Sequence, residues 1–125
     1  MPILLIDDTR DVLDVFAFWL EQAGYAVHPY DNAPDALHAL SDGLRPSLIV
    51  LDLQMPEMNG FDFRVAQLRD ERCAAVPVIV LSGHPITQEE KAQLGDVRIL
   101  EKPVEPELLL EIIRAHRVPS TPTNR

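Results

Sequence analysis

Five side chains able to take part in chemistry stand at or just past the ends of short apolar runs. Ile3-Leu4-Leu5-Ile6 leads into Asp7-Asp8, Leu48-Ile49-Val50-Leu51 into Asp52, and Val76-Pro77-Val78-Ile79-Val80-Leu81 into Ser82; a weaker run, Val97 to Glu101, is followed by Lys102-Pro103. Three carboxylates gathered at one place repel one another. A raised pKa on one of them relieves part of that repulsion, but a hard divalent cation relieves it more usefully, and carboxylates with retained waters suit Mg2+, with Mn2+ a plausible substitute. Lys102 adds an ammonium, and Ser82 adds a hydroxyl donor without adding charge. A metal, an ammonium, a hydroxyl donor and a carboxylate are what phosphoryl transfer needs, because the transferring group spreads its charge over equatorial oxygens and catalysis is mostly positioning and electrostatics. The carboxylate can itself be the nucleophile, forming an acyl phosphate. Taken singly, each residue has a plainer reading: Asp7-Asp8 as the acidic start of a helix, Asp52 as a strand-end turn, Lys102 as a surface lysine. The argument rests on their joint occurrence.

The elements that must bring them together are legible from periodicity. The three strong runs are too short for helices and too unbroken for one-sided strands, so they are expected to be parallel strands buried on both faces. Tyr25 to Tyr30 and Val97 to Glu101 alternate more and suit sheet edges. Between the strands the period becomes 3.6. Val12, Val15, Phe16, Trp19, Leu20 and Ala23 make an amphipathic stripe ended by Gly24, with Phe18 outward. Further helices are expected over about Ala33 to Asp42, Phe61 to Glu71 (Phe61, Val65 and Leu68 on one stripe) and Gln88 to Leu94. A fifth starts near Pro106 and buries Leu108, Leu109, Ile112 and Ile113. This alternation predicts an α/β, flavodoxin-like (βα)5 three-layer sandwich with parallel sheet order 2-1-3-4-5. In that order the first and third strands are neighbours, so Asp7, Asp8 and Asp52 share the crevice at the topological switch point.

The chain has 125 residues, enough for one domain, and its formal net charge of −9 argues against direct contact with nucleic acid or an anionic membrane. No apolar run approaches the ~20 residues of a membrane span, and the N-terminus lacks the basic start of a signal peptide. The single Cys73 has no internal partner, which excludes a disulfide scaffold and a zinc ribbon and makes a cytoplasmic location the expectation. His28, His38, His84 and His116 have no metal-type spacing. Residues 118–125 carry no apolar periodicity and are expected to be a disordered tail or the start of a linker.

Four segments together, Leu4-Leu5-Ile6-Asp7-Asp8, Ile49 through Gly60 (IVLDLQMPEMNG), Val78-Ile79-Val80-Leu81-Ser82-Gly83 and Lys102-Pro103, resemble the receiver domain of two-component response regulators over residues 2 to 117. The resemblance implies that Asp52 accepts a phosphoryl group from a phosphohistidine on a histidine kinase or histidine phosphotransfer protein. It implies that Asp8 and Asp52 ligate Mg2+ directly, Asp7 acts through a water, and the backbone carbonyl of Gln54 completes the protein ligands. Ser82 would bond a phosphoryl oxygen and Lys102 would pair first with the acceptor and then with the phosphate. A cis Lys102-Pro103 bond is implied as well.

Two departures from the family pattern bear on signalling. The position three residues before the lysine, usually aromatic, is Ile99, so no aromatic swing can occur there. The stretch from Ser82 to Gly95 is about two residues short, which trims the fourth helix on the surface of helix 4, strand 5 and helix 5 that commonly carries output, including any homodimer. Gln54 and His84 flank the approach of hydrolytic water and are expected to tune the phosphoryl lifetime. Output then passes to a downstream protein partner or a tethered output domain. Two alternatives stand beside this reading: a phosphorylation-independent adaptor of the same fold, and a small Mg2+-dependent aspartyl-phosphate hydrolase. The hydrolase class needs a second aspartate two residues after its nucleophile, whereas Asp8 is followed by Thr9-Arg10.

Overall fold

A computed structural model describes residues 2–116, so the expected tail at 118–125 and the expected domain end at 117 lie outside the described residues. The order along the chain is β1 (Ile3–Ile6), α1 (Arg10–Gln22), β2 (Val27–Tyr30), α2 (Ala33–Ser41), β3 (Leu48–Asp52), α3 (Gly60–Arg69), β4 (Val78–Ser82), α4 (Gln88–Leu94), β5 (Arg98–Glu101) and α5 (Pro106–His116). All pairings are parallel and the strand order is β2-β1-β3-β4-β5. The expected flavodoxin-like topology is therefore the observed one.

Because successive strand residues point to opposite faces, each central strand feeds two cores. Leu4 and Ile6, Ile49 and Leu51, and Val78 and Val80 pack with α2, α3 and α4 around Phe63 and Leu94. Ile3 and Leu5, Leu48 and Val50, and Ile79 and Leu81 pack with α1 and α5 around Leu13, Phe16, Leu109 and Ile113. Each of these fully buried side chains stabilises the fold by about 1.5–3 kcal/mol relative to exposure. The edge assignments also hold. β2 contains Pro29, which has no N–H to give a second ladder, and among the described residues it pairs only with β1.

The helix faces differ from the periodic reading. In α1 the buried residues are Leu13, Phe16 and Leu20, while Val15 and Trp19 are 47% and 40% exposed. α3 departs furthest: it buries Gly60, Phe63, Arg64 and Gln67 and turns Val65 and Leu68 to solvent. In α5, Leu108 faces outward while Leu109, Ile112 and Ile113 are buried. The cause in α3 is local. Its start is bonded down by Gly60 N donating to Leu53 O at 3.1 Å, and Asn59 caps it by accepting from Asp62 N at 3.0 Å. That phase puts Phe63 into the core and its neighbour Arg64 beside it. Cys73 lies beyond this helix in the following turn, where burial raises its thiol pKa.

Candidate functional site

Asp7, Asp8, Asp52, Ser82 and Lys102 all sit at or just past the carboxyl ends of strands. Asp52 is the last residue of β3 and Ser82 the last of β4, both fully buried; Asp7 follows β1, also fully buried, and Asp8 beside it is exposed. The register pairs Ile6 with Leu51, so the residues that follow them, Asp7 and Asp52, emerge side by side. One oxygen each of Asp7, Asp8 and Asp52 lies within 4.8 Å of the others. Lys102 reaches this cluster from the loop after β5, where its backbone N donates to Ser82 O at 2.7 Å and its bond to Pro103 is cis. Its Nζ stands 3.2 Å from Asp7 Oδ2 and 3.2 Å from Asp52 Oδ1.

Burial, and then the Asp7 carboxylate, push the Asp52 pKa up to about 6 against the pull of Lys102. Burial also works against the charge on Lys102, but Asp52 and Asp7 outweigh it and raise its pKa, so the ammonium stays protonated. One ammonium is insufficient compensation for the site. Asp7 Oδ1 accepts from Thr9 N at 2.9 Å and Asp52 Oδ1 from Gln54 N at 3.3 Å, but the buried Asp52 Oδ2 has no hydrogen-bond partner among the described residues. A buried carboxylate oxygen left unpaired beside two other carboxylates fits a hard cation with oxygen ligands.

Ser82 is turned to its own loop. Its hydroxyl donates to His84 O and accepts from His84 N at 3.2 Å. Gln54 spans from the acceptor loop to the same segment: its Oε1 accepts from Gly83 N at 2.8 Å and its Nε2 lies 3.2 Å from His84 Nε2. An amide nitrogen only donates, so His84 Nε2 is the acceptor there and Nδ1–H gives to Pro85 O at 3.1 Å. Gln54 and His84, expected from the sequence to flank the approach of hydrolytic water together, thus touch. Ile99 is half-buried and lines a groove of about 470 Å3 between the segment His84 to Ile86 and β5, with Ser82 at its inner end.

Sequence reasoning missed Arg64 and Gln67. Arg64 Nε donates to Leu94 O at 2.8 Å and Nη1 to Gln67 Oε1 at 2.9 Å, while Gln67 Nε2 donates to Cys73 O and Val76 O. The only signal was Phe63, an apolar residue that falls off the stripe of Phe61, Val65 and Leu68 and on the side of Gln67.

Comparison with known proteins agrees with this geometry. The family model for the response regulator receiver domain matches residues 3–114. An uncharacterized 14.6 kDa protein in the sodA1 3′ region of Leptolyngbya boryana is 39% identical over 118 residues, covering 91% of this chain and 86% of that one. The DNA-binding dual master transcriptional regulator RpaA of Synechocystis is 38% identical over 120 residues, covering 92% of this chain; the chain spans 48% of RpaA's length. Among solved structures, the chemotaxis response regulator CheY4 of Vibrio cholerae superposes with TM-score 0.81 at 28% identity, covering 92% of this chain and 97% of that one. A response regulator receiver protein from Pseudomonas putida gives TM-score 0.81 at 31% identity, covering 91% and 96%. Among the described residues no helix is long and apolar enough to cross a membrane. The five-stranded order, the carboxylates gathered at its switch point and the family match over nearly the whole length identify the chain as a member of the response regulator receiver domain family, a family of signalling domains.

Proposed function

We propose that this receiver domain, spanning residues 2–117, is a Mg2+-dependent phosphoacceptor in which Asp52 takes a phosphoryl group from a phosphohistidine donor. The supporting observation is the buried Asp52 carboxylate, with one oxygen unpaired and the other held 3.2 Å from Lys102 Nζ. An Asp52 oxygen attacks phosphorus as the P–N bond of the donor breaks, and the bonding electron pair leaves with the imidazole. Asp8, Asp52 and the Gln54 backbone carbonyl would hold the ion, with Asp7 acting through a water. Bound Mg2+ supplies positive charge to the carboxylates and the phosphoryl oxygens. Lys102 neutralises the acceptor before transfer and the phosphate after it, and Ser82 leaves His84 to donate to a phosphoryl oxygen. The donor is a histidine kinase or phosphotransfer protein. It can approach along the apolar groove of Val12, Val15, Pro103 and Val104, which shares Lys102 with the acceptor site. Output goes to a protein partner or tethered domain, and external substrate turnover is not part of this role.

Intact mass after incubation with acetyl phosphate tests this reading. A single adduct that needs Mg2+ and is absent from Asp52→Asn is the expected result. No adduct from acetyl phosphate or from a phosphohistidine donor would instead favour a phosphorylation-independent adaptor.

Lys102→Ala separates metal binding from signalling. It should still bind Mg2+ in a saturable titration, because the three carboxylates remain. The conformational response to phosphodonor should fall at least about fivefold, the lower end of ordinary coupling energies. An undiminished response would remove Lys102 from the switch.

A further inference from the structure

Among the described residues Arg64 is the only buried cation. It is 6% exposed, yet it forms no ion pair with any of them. Its Nε donates to Leu94 O at 2.8 Å and its Nη1 to Gln67 Oε1 at 2.9 Å. Both acceptors are neutral, and together they occupy two of the five N–H groups that a guanidinium offers. Nη2 has no hydrogen-bond partner among the described residues, and the side chain lines a cavity of about 520 Å3, a size suited to a small ligand. A buried arginine is ordinarily matched by an anion, because taking its charge out of water is costly. Burial lowers the Arg64 pKa, and Asp96 offsets part of this from beyond ion-pairing distance.

The cavity lies at the amino ends of β4 and β5, at the opposite end of the sheet from Asp52. Val76 and Pro77 border it before β4, Asp96 and Arg98 at the start of β5, and His116 at the end of α5. Two guanidinium groups are thus set against one carboxylate, in a chain whose formal net charge is −9. The sequence that continues from His116 brings no acid: residues 117–125 contain neither Asp nor Glu, so they offer no side chain to pair with Arg64.

We propose that this cavity is a binding site for a small oxyanion, a carboxylate or phosphate ligand, held by the free edge of the Arg64 guanidinium with Arg98 as its second positive charge. A planar fork with Nε and one Nη1 N–H already committed keeps Nη2 and the second Nη1 N–H for such a group. The two committed bonds also fix the fork before any ligand arrives, so little side-chain freedom is lost on binding. Asp96 opposes the anion and moderates its affinity. The site is separate from the acceptor carboxylate and does not depend on phosphorylation of Asp52.

NMR of the full chain in EDTA, following backbone amides and the Arg64 Nε–H, tests the site by titration with succinate and, separately, with inorganic phosphate, each at constant ionic strength against sodium chloride. Expected are saturable shifts of the Arg64 Nε–H and of the amides around Val76 and Arg98, with half-saturation at about 1 mM or below for one or both oxyanions. Saturation by succinate alone assigns a carboxylate ligand, and by phosphate alone a phosphate ligand. Arg98→Gln should weaken binding about two- to fivefold, the effect of one exposed charge pair, and Asp96→Asn should tighten it by a similar factor. Arg64→Met should weaken it at least about tenfold, the effect of losing a hydrogen bond from a charged donor. Both Asp96 and Arg98 are exposed, so their variants decide the question even where Arg64→Met does not fold. An Arg64 Nε–H that neither oxyanion shifts in a saturable way would overturn the site. Binding that neither Arg98→Gln nor Asp96→Asn alters would place the anion outside the cavity and overturn it as well.

Discussion

Asp52→Asn should be more stable than the wild type at pH 8 in EDTA, by up to about 3 kcal/mol, and the difference should close by about pH 4. The sign follows from the acceptor's own pKa. Folding raises it from 3.8 to about 6 because burial and Asp7 oppose the charged form more than Lys102 favours it. A carboxyl whose pKa rises on folding contributes stability that is fully present below about pH 3.8 and is lost as the pH climbs through 6. Above that, the ionised carboxylate opposes folding, and a neutral amide of the same shape relieves the cost. For a domain of this size the gain amounts to roughly 10 °C in melting temperature. Thermal or urea unfolding of both proteins from pH 4 to 8 provides the measurement. A pH-independent difference would mean that Asp52 is not held in an unfavourable ionised state. Mg2+ should narrow the gap at pH 8 by binding the folded wild type, as any ligand of the native state does.

Gly60→Ala should destabilise the protein by about 2–3 kcal/mol, the upper part of the usual cost of forcing an atom into a packed site. A Cβ at this position would lie 2.7 Å from Leu53 Cδ2, 2.8 Å from Asp52 O and 2.9 Å from Leu53 Cα. Two of those atoms are backbone and cannot rotate away, so either α3 lifts or the end of β3 shifts. Either movement displaces the acceptor. The melting temperature should fall by roughly 10 °C, and the surviving folded fraction should form the acetyl phosphate adduct more slowly than wild type. A variant as stable as wild type would show that α3 can move off β3 without disturbing it. The glycine therefore serves the close approach of helix to strand.

Most of the architecture was open to reading along the chain because unbroken apolar runs of four to six residues have few uses other than a two-sided parallel strand. Helix positions were readable too, and the boundaries of α4 agree to the residue. Helix faces were less legible. Val65 and Leu68 invite burial on hydropathy, and Arg64 and Gln67 invite exposure, yet α3 does the reverse. A 3.6-residue period indicates that a helix has a face; which face turns inward depends on what the neighbouring elements offer. Here they offer the carbonyls of Leu94, Cys73 and Val76, which need donors when buried. Trp19 and Leu108 were misplaced for the related reason that several apolar positions compete for one contact strip.

The succession of strands and helices, the parallel class of the sheet and the five polar residues at the strand ends can be read along the chain, because each is encoded within a few consecutive residues. That Asp7 and Asp52 both meet Lys102, that one oxygen of Asp52 has no partner among the described residues, and that Ser82 is held by His84 are outcomes of tertiary packing. So is the bond from Arg64 to the last carbonyl of α4. Distances, burial and the resulting pKa depend on groups far apart in the chain, and they take values only once the sheet has set β1, β3 and β4 side by side.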